Sequence, residues 1–294
     1  MAVFAALLAA LFYSLASVLQ QWEAERQPPE KELRPSLLAR LAIRPRWLAG
    51  LGCDMAGYVW QFIALSTGSL VVVQPLLVVG LLFALPIKAR FTPYRMGRWG
   101  WGGALLTTTA LAVFLSVSDP TNGHADVRPV YWALLLCSAA IAATVLAFGG
   151  FGSSPRWKAM AYGTGAGVIY GTCAALTKTC AHLLSHGVGH LFSNWQPYVL
   201  AFGGVAGMVL AQSAFQAGPL DASLPTLTAT DPVVSVVIGA LLFGESIRSG
   251  VIWSGLEVIS LAGIVVGIFL LAHTEAVNSA QDRNEPAAAV GSFT

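Results

Sequence analysis

Four ionisable side chains stand deep inside long apolar runs: Asp54, Lys178, Asp231 and Glu257. A charged side chain at the centre of a bilayer costs at least about 2.5–3.5 kcal/mol on insertion scales. Such residues persist where they pair, face a wet cavity or do work. Asp54 could bind a cation or carry a coupling proton. It could equally pair with Lys178 or take a hydrogen bond from a Tyr or Ser. Tyr58 and Gln61 follow at i+4 and i+7, on roughly the same side of a helix. Gln61 could coordinate a solute or serve as interhelical glue.

The most polar apolar run holds Asp221, Ser223, Pro225, Thr226, Thr228, Thr230, Asp231 and Pro232. Each proline removes a backbone donor and frees a carbonyl. Such a break is tolerated in lipid where it is buried in protein or lines a wet cavity. Thr228 and Asp231, at i and i+3, share a face. Carbonyls, hydroxyls and a carboxylate are hard oxygen ligands of the kind Mg²⁺ accepts. The same groups would hydrogen-bond an organic solute, or simply back-bond within packed helices. Lys178 is expected to pair with Asp54 or Asp231, or to snorkel to the outer surface. Glu245 is expected in a short outer turn, and Glu257 in a pair within the bundle. His182, His186 and His190 form H-x3-H-x3-H, a stripe on a continuous helix and a weak candidate for a transition metal. Gly187 and Gly189 interrupt that helix, so an exposed polar loop is the other reading.

The elements that position these residues follow from composition. Of 294 residues, 56% are hydrophobic and only 10% are charged, and the mean hydropathy is +0.68. A soluble domain carries about 25% charged residues, so lipid must be the solvent. With a net charge of only +2, no large basic surface points to nucleic acid. Cys53, Cys137, Cys173 and Cys180 are scattered, without C-x-x-C, and read as small apolar residues in helices. The run from Val3 to Leu19 lacks a basic n-region and a small-residue cleavage site, and reads as a retained helix.

A membrane-crossing helix needs about 20 mostly apolar residues. Nine segments qualify, approximately 2–22, 46–66, 69–88, 98–118, 130–150, 157–183, 196–217, 222–243 and 250–272. Of the 16 Lys and Arg, 13 fall in alternate loops and the C-terminal tail, and only Arg128 and Arg248 on the other side. The positive-inside rule then predicts an external N-terminus and a cytoplasmic C-terminus. Leu33, Leu37, Leu38 and Leu41 mark residues 29–46 as an amphipathic helix on the cytoplasmic leaflet. The small, polar tail 274–294 reads as disordered. Residues 1–273 form a single transmembrane domain.

The chain repeats itself weakly. Gly68-Ser-Leu-Val-Val-Val-Gln-Pro75 and Gly218-Pro-Leu-Asp-Ala-Ser-Leu-Pro225 match in Gly, Leu and Pro at an offset of 150. Leu-Phe-Tyr13 resembles Val-Ile-Tyr170, and Leu19 matches Leu176. Repeat one is then about 1–118 and repeat two about 157–272. The helix at about 130–150 connects them and inverts their topology. Inverted repeats are a transporter architecture, with the solute held between the halves near the midplane. The predicted fold is all-α: nine transmembrane helices in two inverted four-helix repeats joined by a connector.

The ending Gly-Ala-Leu-Leu-Phe-Gly-Glu245-Ser-Ile, followed by a Gly-rich last span, resembles the half-end of the drug/metabolite transporter superfamily, EamA-like in kind. Within it, the layout resembles the NIPA-type magnesium transporters, which also have nine spans and an interfacial stretch after the first. Their second-span Gly-acid pattern is approximated by Leu-Gly-Cys-Asp54. Their Val-x-Pro opening of span three is similar to Val73-Gln74-Pro75. Lys178 and Gln212 stand where they carry Lys and Gln. The resemblance covers roughly residues 1–272, with Asp in place of the usual Glu and Gln74 in place of Thr.

The resemblance implies a secondary transporter working by alternating access through a central polar cavity. The expected pathway residues are Asp54, Tyr58, Gln61, Gln74, Tyr170, Lys178, Gln212, Thr226, Thr228 and Asp231. The solute is a small molecule or an ion, with Mg²⁺ or another divalent cation as one alternative. A non-transporting membrane scaffold is another. Gly163-Thr-Gly165-Ala-Gly167 reads as a small-residue helix contact, not a phosphate cradle. No nucleophile elbow, P-loop or H-E-x-x-H appears, so neither an enzyme nor a cofactor is expected. Expected partners are the solute, membrane lipid and a second copy in a homodimer.

Overall fold

A computed structural model describes residues 1–24, 42–80, 82–83, 87, 98–117, 127–150, 153–217, 220–245 and 251–284. Every regular element among them is a helix. In chain order these are α1 (Ala2–Ala24), α2 (Pro45–Thr67), α3 (Leu70–Leu77), α4 (Arg98–Val117) and α5 (Pro129–Gly149). There follow α6 (Pro155–Ser185), α7 (Val188–Phe192), α8 (Gln196–Ala217), α9 (Leu220–Leu242) and α10 (Val251–Asn284). Among the described residues, five helices are long and apolar enough to cross a membrane, within α1, α2, α5, α8 and α10, and shorter apolar stretches lie in α4 and α9. This is the architecture of a multi-pass α-helical membrane protein.

Local sequence sets the helix ends. Pro45, Pro129 and Pro155 open α2, α5 and α6, where the missing N–H is one the first turn leaves unbonded anyway. The Ser69 and Ser154 hydroxyls cap α3 and α6 by accepting from Val72 N and Trp157 N. α6 stops at Ser185, where Gly187 turns the chain at φ 115°. α10 continues to Asn284, into the segment whose composition predicts disorder. The amphipathic segment predicted over 29–46 lies outside the described residues up to residue 41.

The apolar faces point outward as well as inward. Phe202 and Leu241 are 76% and 83% exposed, and α5 buries only Trp132 and Ala143. Such faces are stable only against lipid or another protein. Inside, α1 packs on α2 and α3, while α6 packs on α8 and α9. α3 crosses α9, α4 runs along α10, α2 meets α6 and α1 meets α8. α5 packs chiefly on α6.

Small residues set these contacts, as the glycine-rich reading of α6 anticipates. A Cβ at Gly163 would fall 2.6 Å from Ser223 O, at Gly167 2.6 Å from Thr230 Cβ, and at Gly171 2.9 Å from Val234 Cβ. This stripe of three glycines, spaced four residues apart, lets the backbones of α6 and α9 approach closely. Gly167→Val is therefore expected to destabilise the protein by about 1–3 kcal/mol or more, the range for overpacking. Gly52→Ala, where a Cβ meets nothing within 4 Å, should be neutral or mildly stabilising. Thermal unfolding in detergent compares the two; equal effects would refute the stripe.

Candidate functional site

α2 turns a polar face inward. Asp54 accepts a hydrogen bond from Gln20 Nε2 of α1. Tyr58, one turn on, bonds Thr177 Oγ1 of α6 at 3.1 Å. Gln61, nearly one further turn on, accepts from the Tyr13 hydroxyl of α1. The i, i+4, i+7 face is thus engaged at all three positions. Gln212 of α8 joins it by donating to Gln20 Oε1 at 3.4 Å, while its own Oε1 has no hydrogen-bond partner among the described residues.

Asp231 of α9 accepts from Ser235 Oγ at 3.2 Å. The carboxylates of Asp54 and Asp231 both act through space on the hydroxyls of Tyr13 and Tyr170. Tyr13, Asp54, Tyr58, Tyr170, Cys173 and Asp231 are all half-buried. Asp54 stands nine residues into α2 and Asp231 eleven into α9. At 1.5 Å per residue that is about 14 and 17 Å from the helix starts, near the middle of a hydrocarbon layer about 30 Å thick.

The two tyrosines are seated alike. A Cβ at Gly57 would lie 2.9 Å from the Tyr13 ring, and one at Gly207 2.7 Å from the Tyr170 ring. Each ring therefore lies close against a helix wall that only glycine leaves open.

Lys178 corrects an expectation. It pairs with neither Asp54 nor Asp231. Its Nζ forms a salt bridge with Glu245 and lies 5.5 Å from the centroid of the Phe243 ring. The reason is position: Lys178 is eight residues beyond Tyr170, about 12 Å along the axis. Its side chain reaches the turn after α9. Glu245 lies in that turn, where the sequence places it, but is itself buried. It is 2% exposed and accepts from Leu70 N and Val71 N at 2.9 Å each. Gly239 makes room for it, since a Cβ there would lie 2.6 Å from Glu245 Oε2.

Other predicted residues have different surroundings. Thr226 bonds Ser223 O at 2.9 Å and packs on Gly163. Thr228 is half-buried on α9. Gln74 is 1% exposed, and neither end of its amide has a hydrogen-bond partner among the described residues. Ring centroids of His182 and His186 are 4.9 Å apart, and those of His186 and His190 5.7 Å. No group of three His, Cys, Asp or Glu among the described residues is placed to hold a metal ion. The helix break at Gly187 spreads the stripe, and His182 and His190 line an open pocket instead.

Sequence reading did not single out Gln20 and Thr177 as site residues. Both were recoverable: Gln20 is polar within an apolar run, and 157 residues separate it from Thr177, the spacing that relates Tyr13 to Tyr170.

No family model matches the chain, and no solved structure matches it. An uncharacterized protein of Corynebacterium glutamicum is 32% identical over 286 residues, which cover 96% of this chain and 98% of that protein. The chain belongs to that protein's family. The likeness spans nearly the full length of both proteins.

Proposed function

We propose that this protein is a secondary transporter of the drug/metabolite transporter superfamily, EamA-like in layout. It moves a small solute across the cytoplasmic membrane by alternating access. Nine spans form two inverted four-helix repeats, with α5 as connector, the N-terminus outside and the C-terminus in the cytoplasm.

The observation that carries this reading is the exchange symmetry of the packing. Swapping α1 with α6, α2 with α8, α3 with α9 and α4 with α10 turns the α1–α2 and α1–α3 contacts into α6–α8 and α6–α9. The same swap turns α2–α6 into α8–α1, and returns α3–α9 and α4–α10 to themselves. Side chains follow the same exchange. Tyr13 on Gly57 matches Tyr170 on Gly207, at offsets of 157 and 150. Ala6, Ala10 and Ser14 stand where α6 carries Gly163, Gly167 and Gly171. Two halves that pack alike around a shared polar space can rock between two equivalent states.

The solute fits between Tyr13, Asp54 and Tyr58 of one half and Tyr170 and Asp231 of the other. With Lys178 committed to Glu245, two carboxylates face this space, and that charge balance favours a cation. An organic ammonium would gain from the aromatic rings as well as the charge. Mg²⁺ is the second reading, favoured by the same two carboxylates, because Mg²⁺ keeps several waters and needs only one or two such ligands.

A binding screen tests this. Tetraethylammonium, smaller alkylammonium ions and Mg²⁺ are each titrated against detergent-purified protein, with sulfate and acetate as anionic controls. A bound cation stabilises the fold by mass action, by about 2.7 kcal/mol at a hundred times Kd, and so raises the unfolding temperature. Stabilisation by the anions alone would contradict the charge argument.

A further inference from the structure

One side chain ties the two halves together at the end of the bundle bearing Ser69, His186 and Gly244, the outer end on the charge bias. Glu245, in the turn after α9, takes the N–H groups of Leu70 and Val71 at the start of α3 and the ammonium of Lys178 on α6. Phe243 lies under that ammonium and packs edge-to-face on Trp132, centroids 6.2 Å apart. Trp132 packs in turn on Trp195 at 5.6 Å. Outside this plug is an open pocket of about 400 Å³, lined by Arg128, Trp132, Thr179, His182, Asn194 and Gln196. Beside Lys178 on α6, Thr177 is 1% exposed and bonds Tyr58 on the face that carries Asp54.

Pocket, plug and polar site therefore follow one another along α6, with His182 of the pocket about 6 Å beyond Lys178 on the axis and Tyr170 of the polar site about 12 Å before it. We propose that Lys178 and Glu245, with Phe243 and Trp132, are the closed outer gate of the transport pathway, and that the pocket is its outer vestibule. The inference rests on the carrier reading above. Its chemistry suits a separable contact. A buried ion pair is seldom better for stability than a well-packed apolar pair, so stability alone does not call for one here. Both charges can be rehydrated when the halves part, because the pocket shares Trp132 with the plug and reaches Thr179 beside Lys178.

The test uses the full chain with Cys53, Cys137, Cys173 and Cys180 replaced by alanine and with Thr177→Cys as reporter. A membrane-impermeant maleimide is added to vesicles from the vestibule side. Labelling is slow in the parent and rises about tenfold with Lys178→Met, as the open state becomes populated. Phe243→Ala, which leaves both charges in place, raises it in the same direction. Size-exclusion profiles show that each variant is folded. Unchanged labelling in whichever of these variants folds would overturn the gate. Labelling is read without any solute, so a failure of solute flux would remove the carrier reading and leave the gate result standing.

Discussion

Glu245→Ala is expected to be the most damaging single change outside the helix contacts, costing about 3–5 kcal/mol, the range for breaking a buried ion pair from one side. The substitution leaves Lys178 charged in an interior position, with its side chain only 12% exposed. It also strips the acceptor from Leu70 N and Val71 N, and a buried donor left unbonded costs about 1–3 kcal/mol. Glu245→Gln keeps one acceptor for those amides and should cost less. Pairing Glu245→Gln with Lys178→Met should cost less than the two single losses added, because the stranded charge is gone. Thermal unfolding of the parent, Glu245→Ala, Glu245→Gln, Lys178→Met and the double variant in one detergent measures this. A loss below about 1 kcal/mol for Glu245→Ala, the level of an exposed pair, would show that the buried network is not formed.

Asp54→Asn should do the reverse, sparing the fold and removing function. The amide oxygen of asparagine can still accept from Gln20, so stability should change by no more than about 1 kcal/mol, one ordinary hydrogen bond. The negative charge is lost. Two unit charges 4 Å apart attract by about 4 kcal/mol at an effective dielectric constant of 20. Losing even two-thirds of that weakens a bound cation about a hundredfold. Uptake of tetraethylammonium or Mg²⁺, whichever stabilises the parent, is expected to fall by that order, with the unfolding temperature nearly unchanged. Full uptake by Asp54→Asn would remove the carboxylate from the pathway.

How far the sequence foretold this arrangement differs from element to element. Segment 196–217 coincides with α8, and 46–66 falls within one residue of α2 at each end, because runs of apolar residues broken by proline and charge carry the signal locally. The shared face of Asp54, Tyr58 and Gln61 follows from helical period alone. Their partners do not. Gln20, Thr177 and Tyr13 lie 34, 119 and 48 residues away, and only the order in which helices pack selects them. Glu245 shows the limit most clearly. Read locally it is the acid of an outer turn. Its burial depends on Gly239 beside it and on the start of α3, 175 residues earlier in the chain. The glycines opposite Tyr13 and Tyr170 become visible as a pair only once α1 is seen packed on α2 and α6 on α8.

The central claim is that a cation crosses between the two halves past Asp54 and Asp231. Purified protein in sealed liposomes, with Mg²⁺ or tetraethylammonium placed on one side and its appearance on the other followed in time, tests this most directly. The account predicts saturable flux of at least one of these cations, lost in Asp54→Asn and Asp231→Asn variants that remain folded. Flux no greater than in protein-free liposomes for both cations, or equal flux in parent and variants, would contradict it.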